Sequence, residues 1–144
     1  MPVPREYTQA SADFERFMIA ARDALGHATT HQTYYSVLAV FRVFRRRITV
    51  REGLRFADAL PPVLRAIFVS DWDVEEALRP FGTMAEMTKE AQEFRREHSF
   101  TPEDVVEVIA QVLQDHVDRL AFERALKSLP LSAKAFWMKK GEMG

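Results

Sequence analysis

Two stretches of this chain, TVREGLRFADALPPVLRAIF (Thr49–Phe68) and DRLAFERALKSLPLSAKAFW (Asp118–Trp137), decide its fold when laid over each other at an offset of 69 residues. Each opens on a residue that caps helix N-termini, Thr49 or Asp118. Each carries an arginine at the same place (Arg55, Arg124), then a leucine–proline step (Leu60-Pro61, Leu129-Pro130), then Ala66 or Ala135 and an aromatic, Phe68 or Trp137. Proline lacks an amide donor and disfavours helical geometry in the residue before it, so both steps predict a helix break. A short helix can restart from Pro62, over about 63–69. Thr49 and Glu52 have the spacing of a capping box, and Val50, Leu54, Ala57 and Leu60 form the apolar face of the helix that follows.

The correspondence extends upstream. Val37/Val106, Val40/Ile109, Val43/Val112 and Ile48/Val117 keep the same offset. Tyr34–Phe44 is apolar at nine of eleven positions, the mark of a central helix packed on several sides. Its counterpart buries Val105, Val106, Ile109, Val112, Leu113 and Val117, behind Thr101 as cap and Pro102 in the first turn. Before it, Phe14, Phe17, Met18, Ala21 and Leu25 share one helix face, with Ser11 as the expected cap and Gly26 as the stop. The matching helix opens on a second box, Thr83 with Glu86, and uses Met84, Met87, Ala91 and Phe94. It aligns best at an offset of 70.

Residues 70–82 connect the halves, with Asp73 and Glu76 spaced to box a single helical turn and Trp72 expected to be at least partly buried. The reading is therefore an all-α bundle of two tandem repeats of about four helices, related by pseudo-symmetry and sharing one core. Repeat one covers about 11–72 and repeat two about 83–140, within a single domain, 1–144.

Composition agrees with such a core and narrows the function. Of 144 residues 47% are hydrophobic, 11 of them Phe, enough apolar surface to fold without staples. There is no cysteine, which removes disulfides, thiolate metal sites and cysteine nucleophiles and fits a cytoplasmic protein. The longest stretch without charge, 24–41, contains Gly26, two His and three Thr, so no membrane partner is expected. A formal net charge of −1 argues against a dedicated nucleic-acid binder. The charge is uneven: +3 over 1–72 and −4 over 73–144, an asymmetry that can steer self-association or a charged partner.

At LPPVLRAIFVSDWDV, Leu60–Val74, the sequence resembles a bacterial family known as DUF2267. The features are Leu60-Pro61, Arg65, Phe68 and Trp72-Asp73 in the first half, and Leu129-Pro130 with Trp137 in the second. The resemblance covers about residues 14–137 and implies an all-α repeat fold; no activity, cofactor or site residue follows from it.

Three groups of residues are candidates for a site. His27 and His31 are four apart, the spacing of a helical metal pair, but Gly26 and Ala28-Thr29-Thr30 read as a loop, which destroys the common face. A small metal- or ligand-dependent enzyme would use this pair. Arg42, Arg45, Arg46, Arg47, Arg51 and Arg55 cluster at a helix end, where cations complement the dipole; the alternative is a weak nucleic-acid contact. Glu86, Glu90, Glu93 and Glu97 form a stripe that reads first as a solvated face, second as an acidic docking surface. No histidine has a carboxylate three residues before it, so a di-iron bundle is excluded, and no phosphate loop, HExxH or GxSxG is present. The sequence expectation is a non-catalytic interaction or structural module that binds a protein partner or itself, with no cofactor. Its proposed surface is Arg42, Arg45, Arg46 and Arg47 together with the four glutamates.

Overall fold

The computed structural model describes residues 2–94 and 101–138. Among the described residues there are nine α-helices and no strand: α1 Arg5–Thr8, α2 Ala10–Leu25, α3 Thr30–Arg45, α4 Val50–Asp58, α5 Pro62–Val69, α6 Met84–Glu93, α7 Val105–Gln114, α8 Arg119–Lys127 and α9 Leu131–Trp137.

Local chemistry sets most of these ends. Thr49 and Glu52 close a reciprocal capping box on α4, at 3.1 Å and 2.8 Å, and Thr83 with Glu86 closes another on α6. Asp118 accepts from the Ala121 amide at the start of α8. Gly26 ends α2 in the left-handed region (φ 70°), and the next amide, His27, reaches back to the Arg22 carbonyl at 3.0 Å. This is the bond pattern of a Schellman cap, which glycine adopts without steric cost. Pro61 and Pro130 precede the first residues of α5 and α9.

Three expected ends differ. Ser11 lies inside α2, because α1 leads almost directly into it: the Gln9 amide bonds to Arg5 O and the Asp13 amide to Gln9 O, both at 2.9 Å. Thr101 does not cap α7. Its hydroxyl pairs with Ser36 at 3.3 Å and its carbonyl accepts from Gln92, while α7 begins at Val105 after a turn closed by Pro102 O. The connector forms turns rather than a helical turn at Asp73–Glu76; Asp73 accepts from the Glu75 amide, and the Glu76 side chain points to Arg46 and Arg79.

Packing brings the halves together. α2 lies on α7 and α3 on α6, so helices of the first half pack on helices of the second; α3 also meets α7, and α4 meets α8. One cluster of buried apolar residues runs from Phe17 to Trp137. At its centre the Phe44 ring lies 4.9 Å from Phe56, 5.1 Å from Phe136 and 5.2 Å from Trp137. Each such ring, fully buried, contributes about 1.5–3 kcal/mol. On α4 the buried face is Gly53, Phe56 and Ala57, continued by Leu60, and the expected positions Val50 and Leu54 are exposed at 36% and 51%. The helix is rotated toward the Phe56 side because that ring joins the aromatic centre.

Candidate functional site

The candidate arginines and glutamates converge where α3 ends, the connector passes and α6 runs alongside. Arg47 grips both carboxylate oxygens of Glu90, at 2.9 and 3.0 Å, and donates to Val43 O and Pro80 O. Such a fork is the strongest geometry an arginine and a carboxylate can adopt. Arg79 adds a bond to Glu90 at 3.2 Å, and Arg46 stands 3.5 Å from Glu90 and 3.7 Å from Glu76. The arginine cluster and the acidic stripe thus meet within a single chain.

Electrostatics follow from this crowding. Burial by itself would raise the Glu90 carboxyl, but the Arg47 hydrogen bonds and the charges of Arg47, Arg79 and Arg46 outweigh it and hold it below the usual 4.5. A carboxylate kept ionised, with both oxygens occupied by guanidinium groups, is poorly placed to exchange a proton near neutral pH. Glu86 is also lowered, by its hydrogen bonds to the Thr83 backbone and hydroxyl, and it stands in solvent as part of the cap. Glu93 is exposed on the same helix, and Glu97 lies outside the described residues.

Arg45 is the residue whose surroundings the sequence concealed. It is 6% exposed and donates to the carbonyls of Phe68 (2.8 Å), Ser70 (2.7 Å) and Asp71 (3.3 Å). Its guanidinium carbon sits 5.1 Å from the centroid of the Trp72 ring, a cation–π arrangement. Burial, reinforced by the charge of Arg42, lowers its pKa to about 10, so it remains a cation at neutral pH. Arg42 donates to Ser70 Oγ at 3.1 Å, whereas Arg51 and Arg55 are exposed and form no ion pair among the described residues.

Trp72 is half-buried against α4. A Cβ placed on Gly53 would overlap its ring, 2.9 Å from Cζ3 and nearer still to Cη2. The one signal for this in the sequence is a glycine inside a strongly patterned helix, which costs about 0.5–1 kcal/mol relative to alanine and so implies a close neighbour.

The histidines are differently engaged. His27 Nδ1 stands 3.1 Å from Thr33 Oγ1, and His31, in the first turn of α3, sets its ring edge-on to Tyr35. His116 bonds to Val112 O at 2.9 Å and lies against Phe17. Among the described residues no three His, Asp or Glu side chains are grouped so as to hold a metal ion, and no helix is long and apolar enough to cross a membrane.

One groove adjoins this site and another lies on a different pair of helices. The first, about 230 Å³, runs between Arg45, Arg46, Ile48, Thr49 and Val50 on one side and connector residues Trp72–Leu78 on the other. The second, about 320 Å³, lies on α8 and α9, walled by Val117, Phe122, Leu126 and Met138 and rimmed by Arg119, Lys127 and Lys134. Fold and site define a helical bundle whose most engaged charges fasten its own connector. The chain belongs to the DUF2267 family, described as an uncharacterized conserved protein, and matches it over residues 14–136. No curated protein gives a significant match to it.

Proposed function

We propose that this chain is a non-catalytic helical module for protein–protein contact, built from two copies of a four-helix unit that share one core. The observation that carries the functional reading is the placement of charge and apolar surface. Arg45, Arg47 and Glu90, the most strongly held ionic groups, are spent on backbone carbonyls and on one another. The outward positions of α8 and α9 meanwhile hold Leu120 and Leu131, exposed at 67% and 71%, and the same two helices carry an apolar-walled groove. Large exposed aliphatics on helices that also carry a groove favour contact with another chain.

The two-unit reading is supported by recurrences at an offset of 69. Helices α4 and α8 span 50–58 and 119–127, and α5 and α9 begin at 62 and 131. Arg45 donates to Phe68 O as Gln114 donates to Trp137 O; Arg47 bonds to Val43 O as His116 bonds to Val112 O. Cap also matches cap, with Thr49 and Asp118 each accepting from the amide three residues on.

Amine-reactive cross-linking in cell extract, read by mass spectrometry, tests the module. Cross-links to a partner, or to a second copy, should concentrate on Lys127 and Lys134 of the α8–α9 face and disappear in a Leu120→Glu, Leu131→Glu double variant that keeps its helical circular dichroism. Cross-links only through Lys89 on α6, or links unchanged in the double variant, would sink this reading. Sedimentation equilibrium at low and high salt then tells a second copy from a different partner.

A further inference from the structure

We infer that the groove on α8 and α9 takes an acidic, aliphatic peptide segment of a partner protein, at the place where the first half has the chain's own connector along one side of its groove. The inference rests on the module reading and on the two-unit architecture. At an offset of 69, three residues lining the first groove, Arg45, Ile48 and Val50, correspond to three lining the second, Gln114, Val117 and Arg119. The two depressions therefore occupy the same place in the two units.

In the first unit the connector closes one side of the groove. Trp72, Val74 and Leu78 line that side, the last two still 56% exposed, while Glu76 stands 3.7 Å from Arg46 of the opposite wall and Arg45 lies over Trp72. Between Trp72 and Leu78 the segment reads WDVEEAL, three carboxylates among apolar side chains. In the second unit every lining residue belongs to 114–138. Its walls are apolar, and its charges are Arg119, Lys127 and Lys134 against a single carboxylate, Glu123. Arg119 has only a loose pair with Asp115, at 4.0 Å with both side chains exposed, and no described carboxylate pairs with either lysine. A net positive rim over an apolar floor complements an acidic segment carrying aliphatic side chains. Phe122 already fills the slot that Trp72 fills in the first unit, so the partner segment needs aliphatic residues more than a tryptophan.

The test uses the full chain, isotope-labelled for NMR, titrated with a blocked peptide copying Trp72–Leu78 and with a second peptide in which its three acids are amides. Saturable shifts at Val117, Glu123, Leu126 and Lys134, weaker at higher salt and weaker with the amide peptide, are the expected result. A Lys127→Glu, Lys134→Glu variant, altered only at exposed or half-buried positions, should bind about tenfold more weakly, the effect of losing two or more rim charge pairs. No saturable shift up to about 1 mM peptide, an affinity floor near −4 kcal/mol, overturns the inference. So do shifts confined to Val50 and Trp72, which would mean that the peptide merely competes with the connector. Shifts of α8 and α9 on dilution without peptide would give the groove to a second copy and overturn it as well. Where cross-linking through Lys127 and Lys134 succeeds and the peptide fails, the module stands and the acidic occupant falls.

Discussion

Under the proposed two-unit reading, the two halves of the molecule meet the same packing requirement with different residues, and the clearest contrast is between positions 53 and 122. In the second half Phe122 sets its own ring edge-on to Trp137, 6.4 Å away at 81°. In the first half the residue 69 positions earlier is Gly53, and the ring arrives from the connector: Trp72 stands edge-on to Phe68, 6.0 Å away at 80°. Beneath each pair a polar side chain ties the end of one helix to another, Gln114 by one bond to Trp137 O and Arg45 by bonds to Phe68, Ser70 and Asp71. The second half carries its aromatic on a helix. The first half borrows one, and the loan fixes the connector in place. A glycine inside a helix here marks the seat of a side chain supplied from elsewhere.

The largest effect expected from this contrast is at Arg45. Arg45→Ala leaves three carbonyls without their charged donor and should cost about 3 kcal/mol, given about 1.5–3 kcal/mol for a hydrogen bond to a charged group and the desolvation of acceptors left bare. Arg45→Gln, which installs the residue found at 114, can keep one bond and should lose about half as much. Gln114→Ala should cost about 1 kcal/mol. Urea unfolding measures all three; equal losses at 45 and 114 would mean that the two ends are not held differently after all.

Next in size is Gly53. Alanine is the better helix former, yet its methyl would occupy the Trp72 ring, so Gly53→Ala should destabilise by about 2 kcal/mol through overpacking. Adding Trp72→Ala should relieve most of that clash, giving a non-additive double-mutant cycle. If Gly53→Ala is neutral or stabilising on its own, Trp72 is not seated as the comparison requires.

A smaller effect belongs to Glu90, which has no counterpart in the other half. Its carboxyl is depressed in the folded protein, so its contribution is fully present above the unfolded value of 4.5 and is lost as pH falls through the lower folded value. Glu90→Gln should cost about 1.5 kcal/mol at neutral pH and flatten the fall in stability below pH 4.5. Thermal unfolding of both proteins from neutral pH down to strongly acidic pH checks it; parallel curves would place the acid sensitivity elsewhere.

What could be read from the sequence had local causes. The boxes at Thr49 and Thr83 and the cap at Asp118 each need four residues or fewer, and the proline steps act on their immediate neighbours. The apolar run 34–44 announces a central helix whatever surrounds it. What could not be read depends on distant partners. The buried face of α4 is set by Trp72 and by the aromatic centre, not by its own strongest apolar spacing, which placed Val50 and Leu54 inside. Arg45 looked like another dipole-complementing cation because the carbonyls it satisfies are 23 to 26 residues away. Arg47 and Glu90 stood out as members of two stripes, but nothing in either stripe indicated that they would meet across 43 residues.

The smallest expected effect tests the proposed equivalence of Phe68 and Trp137 themselves. Trp137 is fully buried, stacked on Phe56 with centroids 5.1 Å apart, and its indole nitrogen has no hydrogen-bond partner among the described residues. An orphaned buried donor costs about 1–3 kcal/mol. Trp137→Phe removes that donor and installs the residue found at 68, at the expense of ring atoms packed in the core. The two changes oppose each other, so stability should stay within about 1 kcal/mol of the parent, against about 3–5 kcal/mol for a Trp→Ala truncation in a core. The variant also leaves Trp72 as the single tryptophan, and its emission, excited above the tyrosine band, should be that of a partly buried indole that shifts red on unfolding. A loss well above 2 kcal/mol at an unchanged denaturant slope would mean that the indole nitrogen is bonded after all, and that the two aromatic positions are alike in place but not in role.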